Sequence, residues 1–154
     1  MKTKITLLIL LSLTFMNCKQ TVMEKAKPQA NTVKDKVPNL NNDWVREMAL
    51  NKGIKWEANL ETTFGVDAMG KLISETKTRS LEDYRNLGNA LNNIKNDIVQ
   101  ECTMTGASHD NLHVFLYPLI QKIELLQKTT TTDEGATIKE SINGHLKSYY
   151  TYFD

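Results

Sequence analysis

The chain has 154 residues, of which 40% are hydrophobic and 24% are charged, with 19 Lys and Arg against 18 Asp and Glu. This length predicts one globular domain that is large enough to bury a core. A formal net charge of +1 excludes a generally basic protein that binds nucleic acid. With 3 Pro and 7 Gly the chain is neither collagen-like nor of low complexity, and its apolar fraction excludes disorder throughout.

The N-terminus has the pattern of an export signal followed by a lipid anchor. Lys2 and Lys4 form a positive region, and residues 5–16 are almost entirely apolar but too few to span a bilayer as a helix. Cys18 follows where bacterial lipoproteins keep the cysteine that becomes the first mature residue, although Asn17 is larger than the usual residue before it. We therefore expect acylation of Cys18, for example by palmitate. The alternative is an ordinary secretory signal with an incidental cysteine.

The segment after Cys18 is predicted to be a flexible tether. Residues 19–41 contain two prolines, no aromatic residue and five lysines, a composition that buries too little apolar surface to order itself. Such a segment has a typical reach of roughly 25 Å. We expect a solvated spacer, with contact between its lysines and anionic lipid as the alternative. The predicted organisation is a signal peptide at 1–17, lipidated cysteine and tether at 18–41, and a helical domain at 42–154.

Apolar spacing predicts that the domain begins with a short helix and a first long helix. Asp43 is expected to cap a short helix that starts at Trp44 and stops at Gly53. The next pattern begins near Trp56. It places an inward residue at every fourth position: Leu60, Phe64, Ala68 and Leu72.

Two further long helices follow. Ser80 with Asp83 resembles a capping box, and it opens a stripe formed by Tyr84, Leu87, Leu91, Ile94, Ile98 and Cys102. Gly106 is expected to end this helix and Ser108 to cap the next. The third long helix carries the stripe His109, Leu112, Leu116, Leu119, Ile123 and Leu126. Pro118 is expected to kink it, because proline removes an amide donor and clashes with the preceding turn.

The last helix completes an all-α prediction. Residues 131–134 read Thr-Thr-Asp-Glu, a second capping box. The stripe that follows consists of Ile138, Ile142, Leu146, Tyr149 and Phe153. Because no segment alternates with a period of two over more than a few residues, we predict an up-down-up-down four-helix bundle, preceded by the short helix.

Four residues with metal-binding side chains lie close together in the sequence: Cys102, Met104, His109 and His113. Residues four apart share one face of a helix, so the two histidines can chelate one ion. The short turn through Gly106 is expected to bring the sulfur atoms beside them. Thiolate, thioether and imidazole together suit copper(I) or zinc(II). The alternatives for Cys102 are packing in the core and a redox or intermolecular role, and a lone histidine pair is common on protein surfaces.

The predicted topology adds supporting residues to this site. In an up-down-up-down bundle, the second helix ends and the third begins at the pole where the first starts and the fourth ends. The candidates there for hydrogen bonds to the metal ligands are Asn59, Glu101, Asp110, His145 and Tyr149. If the helices are staggered, His145 is also a candidate for a further ligand. The alternative is core packing for the aromatic residues and simple partial burial for His145.

The two histidines also resemble a hydrolase motif. Residues 109–113 match H-E-x-x-H except that Asp110 replaces the glutamate, and aspartate is one methylene too short for the usual reach to a metal-bound water. A small closed bundle also rarely offers a cleft for substrate. Hydrolysis is therefore a minor alternative, and we predict no enzyme activity and no catalytic residue.

Two runs of the sequence resemble a family of small lipoproteins of Bacteroidetes. The first is Trp-Glu-Ala-Asn-Leu-Glu-Thr-Thr at 56–63, and the second runs from Glu101 to His113 with the pattern E-C-T-M-x-G-x2-H-x3-H. The aromatic C-terminus at 149–153 fits the same family, so the resemblance covers residues 43–154. It implies the bacterial source, the fold and a single site formed by the two runs. It implies no catalytic role.

Two functions follow from these observations. The leading prediction is a lipoprotein of the bacterial cell envelope, held at the outer membrane on its periplasmic face or at the cell surface, that binds copper or zinc for sensing, storage or handover. The alternative is a structural or interaction lipoprotein whose cysteine and histidines only pack. Neither prediction identifies a protein partner.

Overall fold

Four long α-helices and one short 3₁₀ helix make up the part of the chain that the computed structural model describes, residues 40–154. The 3₁₀ helix is Asp43–Arg46, and the long helices are α1 (Leu60–Glu75), α2 (Leu81–Gln100), α3 (Gly106–Lys128) and α4 (Thr132–Tyr152). Residues 40–154 contain no β-strand, so the all-α prediction is confirmed. None of these helices is both long and apolar enough to cross a membrane. The predicted signal peptide, the lipidation site at Cys18 and the tether up to residue 39 lie outside the described residues.

The helices pack around one core in alternating directions. α2 packs against α1 and α3, and α4 packs against α3 and α1. At the start of α1, Asn59 Nδ2 donates to the Glu101 carbonyl at the end of α2, at 3.1 Å. At the other pole, Arg85 Nε near the start of α2 donates to the Thr129 carbonyl at the end of α3, at 3.0 Å. These bonds join the ends expected of an up-down-up-down bundle.

α2 follows the sequence prediction closely up to its last turn. Ser80 Oγ accepts from the Asp83 amide at 3.2 Å, and the Asp83 carboxylate accepts from the Ser80 amide at 2.8 Å, which completes the capping box. The stripe is buried or half-buried up to Ile98. The helix ends at Gln100, so the prediction that Cys102 lies on it is wrong: Cys102 belongs to the loop that follows.

The predicted boundary between α2 and α3 is also wrong. Gly106 is the first residue of α3, where its φ of +62° suits glycine, and Thr105 occupies the N-cap position. Ser108 therefore lies in the first turn of α3. Its hydroxyl donates to the Glu57 carbonyl and holds α3 against the segment before α1.

α1 begins later than predicted and buries a different face. The buried residues are Thr62, Val66, Met69 and Ile73. Leu60 and Phe64, predicted to face inward, are 66% and 64% exposed. The observed face is stabilised by the Thr62 hydroxyl, which donates to Asn59 Oδ1 at 2.6 Å and can therefore be buried. It also allows Gly65 to approach α2, since a Cβ at this position would lie 2.3 Å from Ile98 Cγ1.

α3 and α4 show the predicted apolar stripes. Leu112, Leu116, Leu119, Ile123 and Leu126 are buried in α3, as are Ile138, Ile142, Leu146 and Tyr149 in α4 and Phe153 just after it. Pro118 lies inside α3, which continues past it, and a kink there stays a prediction. At the start of α4, the Thr131 hydroxyl accepts from the Glu134 amide at 3.1 Å. The Glu134 carboxylate accepts from the Thr130 amide at 2.8 Å, so only half of the predicted capping box is present.

Residues 40–58 form a strap that lies against α3 and α4 in place of the predicted short helix. Asp43 is the first residue of the 3₁₀ helix and not its cap. Gly53, with φ +93°, belongs to a tight turn that the Asn51 amide closes by donating to the Ile54 carbonyl at 2.8 Å. The strap ends beside the C-terminus, where the Trp56 amide donates to the Tyr152 carbonyl at 2.8 Å. This pairing lies just before α1, which begins at Leu60.

Candidate functional site

The two predicted histidine ligands lie next to each other on α3. The ring centroids of His109 and His113 are 4.2 Å apart, as their spacing of one helical turn dictates. Both side chains are half-buried. The Tyr117 hydroxyl lies 3.2 Å from His113 Nδ1 and forms a hydrogen bond with it. The pair is thus partly accessible and partly oriented by a tyrosine one turn further on.

The predicted sulfur ligands lie in the loop before α3. Cys102 and Met104 are half-buried in the loop between α2 and α3 and pack against the core. Met104 lines a cavity of about 290 Å³ together with Asn59 and Ser108, whereas His113 lines a separate cleft. Within residues 40–154, no three His, Cys, Asp or Glu side chains come together in a group that could hold a metal ion. Of the four predicted ligands, the structure places His109 and His113 side by side, and Cys102 forms no three-residue group with them.

The predicted supporting residues have other partners. Asn59 donates to Glu61 and to the Glu101 carbonyl, contacts that hold the start of α1 against the end of α2. The Tyr149 hydroxyl is 2.9 Å from Thr63 Oγ1, and burial raises the pKa of this tyrosine. Asp110 alone lines the same cleft as His113. Asn59 and Tyr149 therefore hold the helices of the bundle together at this pole.

His145 lies in the core, fully buried, and not beside the predicted metal ligands. Its Nε2 is 2.9 Å from the Phe115 carbonyl, its Nδ1 is 3.3 Å from Lys122 Nζ, and its ring stacks on Trp44 at 4.3 Å. A carbonyl oxygen only accepts, so Nε2 carries the hydrogen and Nδ1 accepts from the lysine. Hydrogen bonding of both nitrogens makes full burial tolerable, which corrects the prediction of partial burial.

Lys122 is the residue that sequence reasoning missed. Its side chain is fully buried, and none of its surface is exposed to solvent. Its Nζ donates to Asn42 Oδ1 at 2.6 Å and to His145 Nδ1 at 3.3 Å. Asn42 Oδ1 also accepts from Trp44 Nε1 at 3.2 Å. In the described part of the chain, Lys122 forms no ion pair with a carboxylate. We call Asn42, Lys122 and His145 the polar centre.

Burial determines the charges of the polar centre. It lowers the pKa of Lys122 to about 8, because an ammonium loses its hydration there. Burial, together with the positive charge of Lys122, lowers the pKa of His145 to about 3. At neutral pH the lysine is therefore mostly charged and the histidine is neutral. The sequence carried a signal for this burial, since Lys122 lies three residues after Leu119 and four before Leu126, on the inward stripe of α3.

A cleft of about 480 Å³ separates the strap from the outer face of α3. Trp44, Tyr117 and Pro118 give it an apolar and aromatic surface, and the carboxyl groups that line it belong to Asp43, Glu47 and Asp110. Trp44 is shared between the two regions, because the ring that lines the cleft also stacks on His145 of the polar centre.

Comparison with known proteins adds no relative. No protein-family model matches the chain, and searches of curated proteins and of solved structures found no match. The resemblance to small Bacteroidetes lipoproteins therefore stays a prediction. The class that the structure defines is an all-α four-helix bundle with a strap and a buried polar centre.

Proposed function

We propose that the protein is a lipoprotein of the bacterial cell envelope that captures copper(I) or zinc(II) through His109 and His113. The observation that carries the metal proposal is the adjacency of the two rings, whose centroids are 4.2 Å apart on one partly accessible face. Two imidazoles fill only part of the coordination sphere of zinc, which is usually four-coordinate. Such a site suits handover, because a partner can supply the remaining ligands.

Cys102 and Met104 are the nearest soft donors along the chain. They belong to the loop at 101–105, which joins α2 to the helix that carries both histidines. For either sulfur to complete the site, this loop has to rearrange on metal binding. Thioethers bind copper(I) better than zinc(II), so Met104 distinguishes the two metals.

Metal titration of the full chain in detergent tests this proposal. We expect about one ion per chain, weaker binding in acid because protons compete for the imidazoles, and a higher melting temperature with metal. His113→Ala should weaken binding at least tenfold, whereas Asn111→Ala, a control on the same helix, should not. Met104→Leu should weaken copper(I) binding more than zinc(II) binding. Equal affinities of the wild type and His109→Ala/His113→Ala would exclude the histidine pair.

Membrane attachment is tested separately at the proposed lipidation site. Acyl chains, and not the polar tether, would hold the protein at the membrane. Cys18→Ser should therefore move the protein from the membrane fraction to the soluble fraction, while Cys102→Ser, which removes the other cysteine, should stay with the membrane. Cys18→Ser protein that remains membrane-bound through alkaline washing would contradict the lipid anchor.

A second candidate is an interaction lipoprotein without a metal. It is favoured by the lack of a three-residue metal-binding group in residues 40–154 and by the apolar side chains on the outer face of α1. Leu60 and Phe64 lie one turn apart there and are more than half exposed. The metal titration separates the two candidates, because only the first requires the histidines.

A further inference from the structure

The strap covers the polar centre with two side chains. Asn42 supplies the oxygen that accepts from Lys122 at 2.6 Å, and the Trp44 ring stacks on His145 with centroids 4.3 Å apart. Trp44 is 5% exposed, and it also donates to Asn42 Oδ1 at 3.2 Å. The strap therefore provides both an acceptor for the buried ammonium and a cover over the imidazole. When it is in place, water reaches neither Lys122 nor His145.

Two hydrogen bonds join this part of the strap to α4 through uncharged groups. The Leu40 carbonyl accepts from the Ser141 hydroxyl of α4, and the Val45 carbonyl accepts from the Tyr152 hydroxyl at 3.2 Å. Neither bond depends on a charged group. The bond between Asn42 and Lys122, in contrast, joins the strap to α3 through a charged group.

The closed arrangement accepts only one protonation state of His145. Its Nε2–H donates to the Phe115 carbonyl, and its Nδ1 needs a lone pair to accept from Lys122. A proton on Nδ1 would abolish that acceptor and place an imidazolium 3.3 Å from an ammonium, away from water. Like charges at this distance in a buried site repel strongly.

Within residues 40–154, the hydrogen-bond partners of His145 are Lys122 and the Phe115 carbonyl, and neither is negatively charged. Lys122 is the group that faces it from α3, and it has the same sign. From the strap, Asp43 and Glu47 line the cleft beyond Trp44. Asp43 pairs with Arg46 at 3.5 Å, and within residues 40–154 no ion pair joins Lys122 to a carboxylate. A proton on His145 is therefore accommodated only when water enters, and the removable cover is the strap.

We propose that residues 40–48 are an acid-released latch: protonation of His145 lifts Asn42 and Trp44 from α3 and α4 while the four helices stay folded. Release opens the groove between α3 and α4 and exposes Lys122 and His145. It also adds the freed residues to the length of chain between the bundle and the predicted tether. The latch uses none of the proposed metal ligands.

The dependence on pH has a definite sign. In the closed form, burial and the positive charge of Lys122 lower the pKa of His145 from the ordinary 6.5 to about 3. An open form in which water reaches the ring would bind the proton more readily. The advantage that the closed form gains from a neutral His145 is complete above about pH 6.5 and falls by up to a factor of ten for each unit of pH below that value. Opening is expected at a midpoint between these two values.

Emission from Trp44 reports the latch directly. The full chain contains two tryptophans, so the experiment uses a Trp56→Phe background in every sample. Between pH 7 and pH 3, we expect the Trp44 emission to shift to the red while the helical circular dichroism at the same pH values is retained. Loss of helix in step with the fluorescence change would overturn the proposal, because it would indicate unfolding of the whole bundle. No red shift in this range would overturn it as well.

His145→Gln tests the identity of the sensor. The glutamine amide can donate to the Phe115 carbonyl and accept from Lys122, but it does not titrate. We expect the midpoint to fall by at least one pH unit or the transition to vanish. His109→Gln makes the same substitution on the outside of the bundle and should leave the midpoint unchanged. An unchanged midpoint in His145→Gln would overturn the proposal.

Asn42→Asp provides a second test that does not alter His145. A carboxylate at this position would pair with Lys122 and offset the positive charge of a protonated His145. The midpoint should therefore move to lower pH. If His145→Gln fails to fold at pH 7, Asn42→Asp still tests the proposal. A midpoint of Asn42→Asp that is unchanged or higher would overturn it.

Discussion

The side chains that α2 buries differ in chemical character from those buried where α3, α4 and the strap meet. The residues that α2 buries are Tyr84, Leu87, Gly88, Leu91 and Ile98, with no charged side chain and no histidine among them. α3 and α4 each bury one basic side chain, Lys122 and His145, and the strap supplies Asn42 to complete their hydrogen bonds. The first region is held by shape and apolar area. The second is held by hydrogen bonds whose strength depends on protonation.

This difference indicates which region makes the stability of the fold depend on pH. Apolar packing is insensitive to protons, so the α2 side should keep its stability over a wide range. A buried charge makes stability depend on pH, because the folded and unfolded chains bind protons differently. Four sets of variants test the difference between the two regions.

Truncation of the apolar side should have the largest effect. Leu91 is fully buried, and Leu91→Ala should lower the free energy of unfolding by about 2–5 kcal/mol, since it leaves a cavity. Leu60→Ala makes the same change at a leucine that is 66% exposed and should cost within about 0.5 kcal/mol. Urea unfolding followed by circular dichroism measures both. Similar losses would mean that α1 and α2 bury other faces than those described.

Removal of the buried charge should change how stability depends on pH. The pKa of Lys122 is lowered to about 8 in the folded chain, against an ordinary 10.5, so the unfolded chain holds the extra proton between these values. The free energy of unfolding of the wild type should therefore rise with pH in this window, relative to Lys122→Met, by up to about 1.4 kcal/mol per unit.

Urea unfolding at pH 7.5, 9 and 10 measures this difference. The matched control is Lys128→Met, which removes a positive charge from the same helix at a side chain that is 76% exposed. A constant difference between the wild type and Lys122→Met over the window would show that the ammonium is better solvated than the structure indicates.

Two glycines test how closely the helices are packed. A Cβ at Gly88 would lie 2.8 Å from the backbone nitrogen of Gln127, so Gly88→Ala has to push α2 away from α3 and should cost about 1–3 kcal/mol. At Gly70, inside α1, an added Cβ would meet nothing within 4 Å. Gly70→Ala should therefore add about 0.5–1 kcal/mol of stability. Thermal unfolding of both variants tests the pair, and opposite signs are expected.

The helix caps give the smallest expected effect. Ser80→Ala removes the acceptor of the Asp83 amide and should cost about 1 kcal/mol, while Ser80→Asp, which can still cap, should recover most of it. Thr131→Ala makes the corresponding change at α4, where half of the box is present. A loss of stability in Ser80→Asp as large as in Ser80→Ala would indicate that the hydroxyl is needed for another reason.

Prediction from sequence succeeded where one periodic stripe dominated. α2 and α4 each have a single apolar face, and both faces were predicted correctly. α1 offers two stripes, one through Leu60 and Phe64 and one through Val66 and Met69, and spacing alone does not choose between them. The choice depends on the polar bond of Thr62 and on the contact between Gly65 and Ile98, which exist only once the helices are packed.

The candidate site shows the same division. The adjacency of His109 and His113 follows from helix geometry and was predictable. The position of Cys102 depends on where α2 ends, which spacing did not determine. The polar centre was the least predictable part, since Asn42 and Lys122 are 80 residues apart in the chain.

The pairing of the strap with residues 152–154 affects the choice of a position for attaching a label. The Asp154 amide donates to the Trp56 carbonyl at 3.2 Å, and its carbonyl accepts from Ala58 at 3.4 Å. A fusion after Asp154 would therefore start within hydrogen-bonded backbone, at the pole that carries the loop at 101–105. Lys77, exposed between α1 and α2 at the opposite pole, is the better attachment point for a dye or a surface linker.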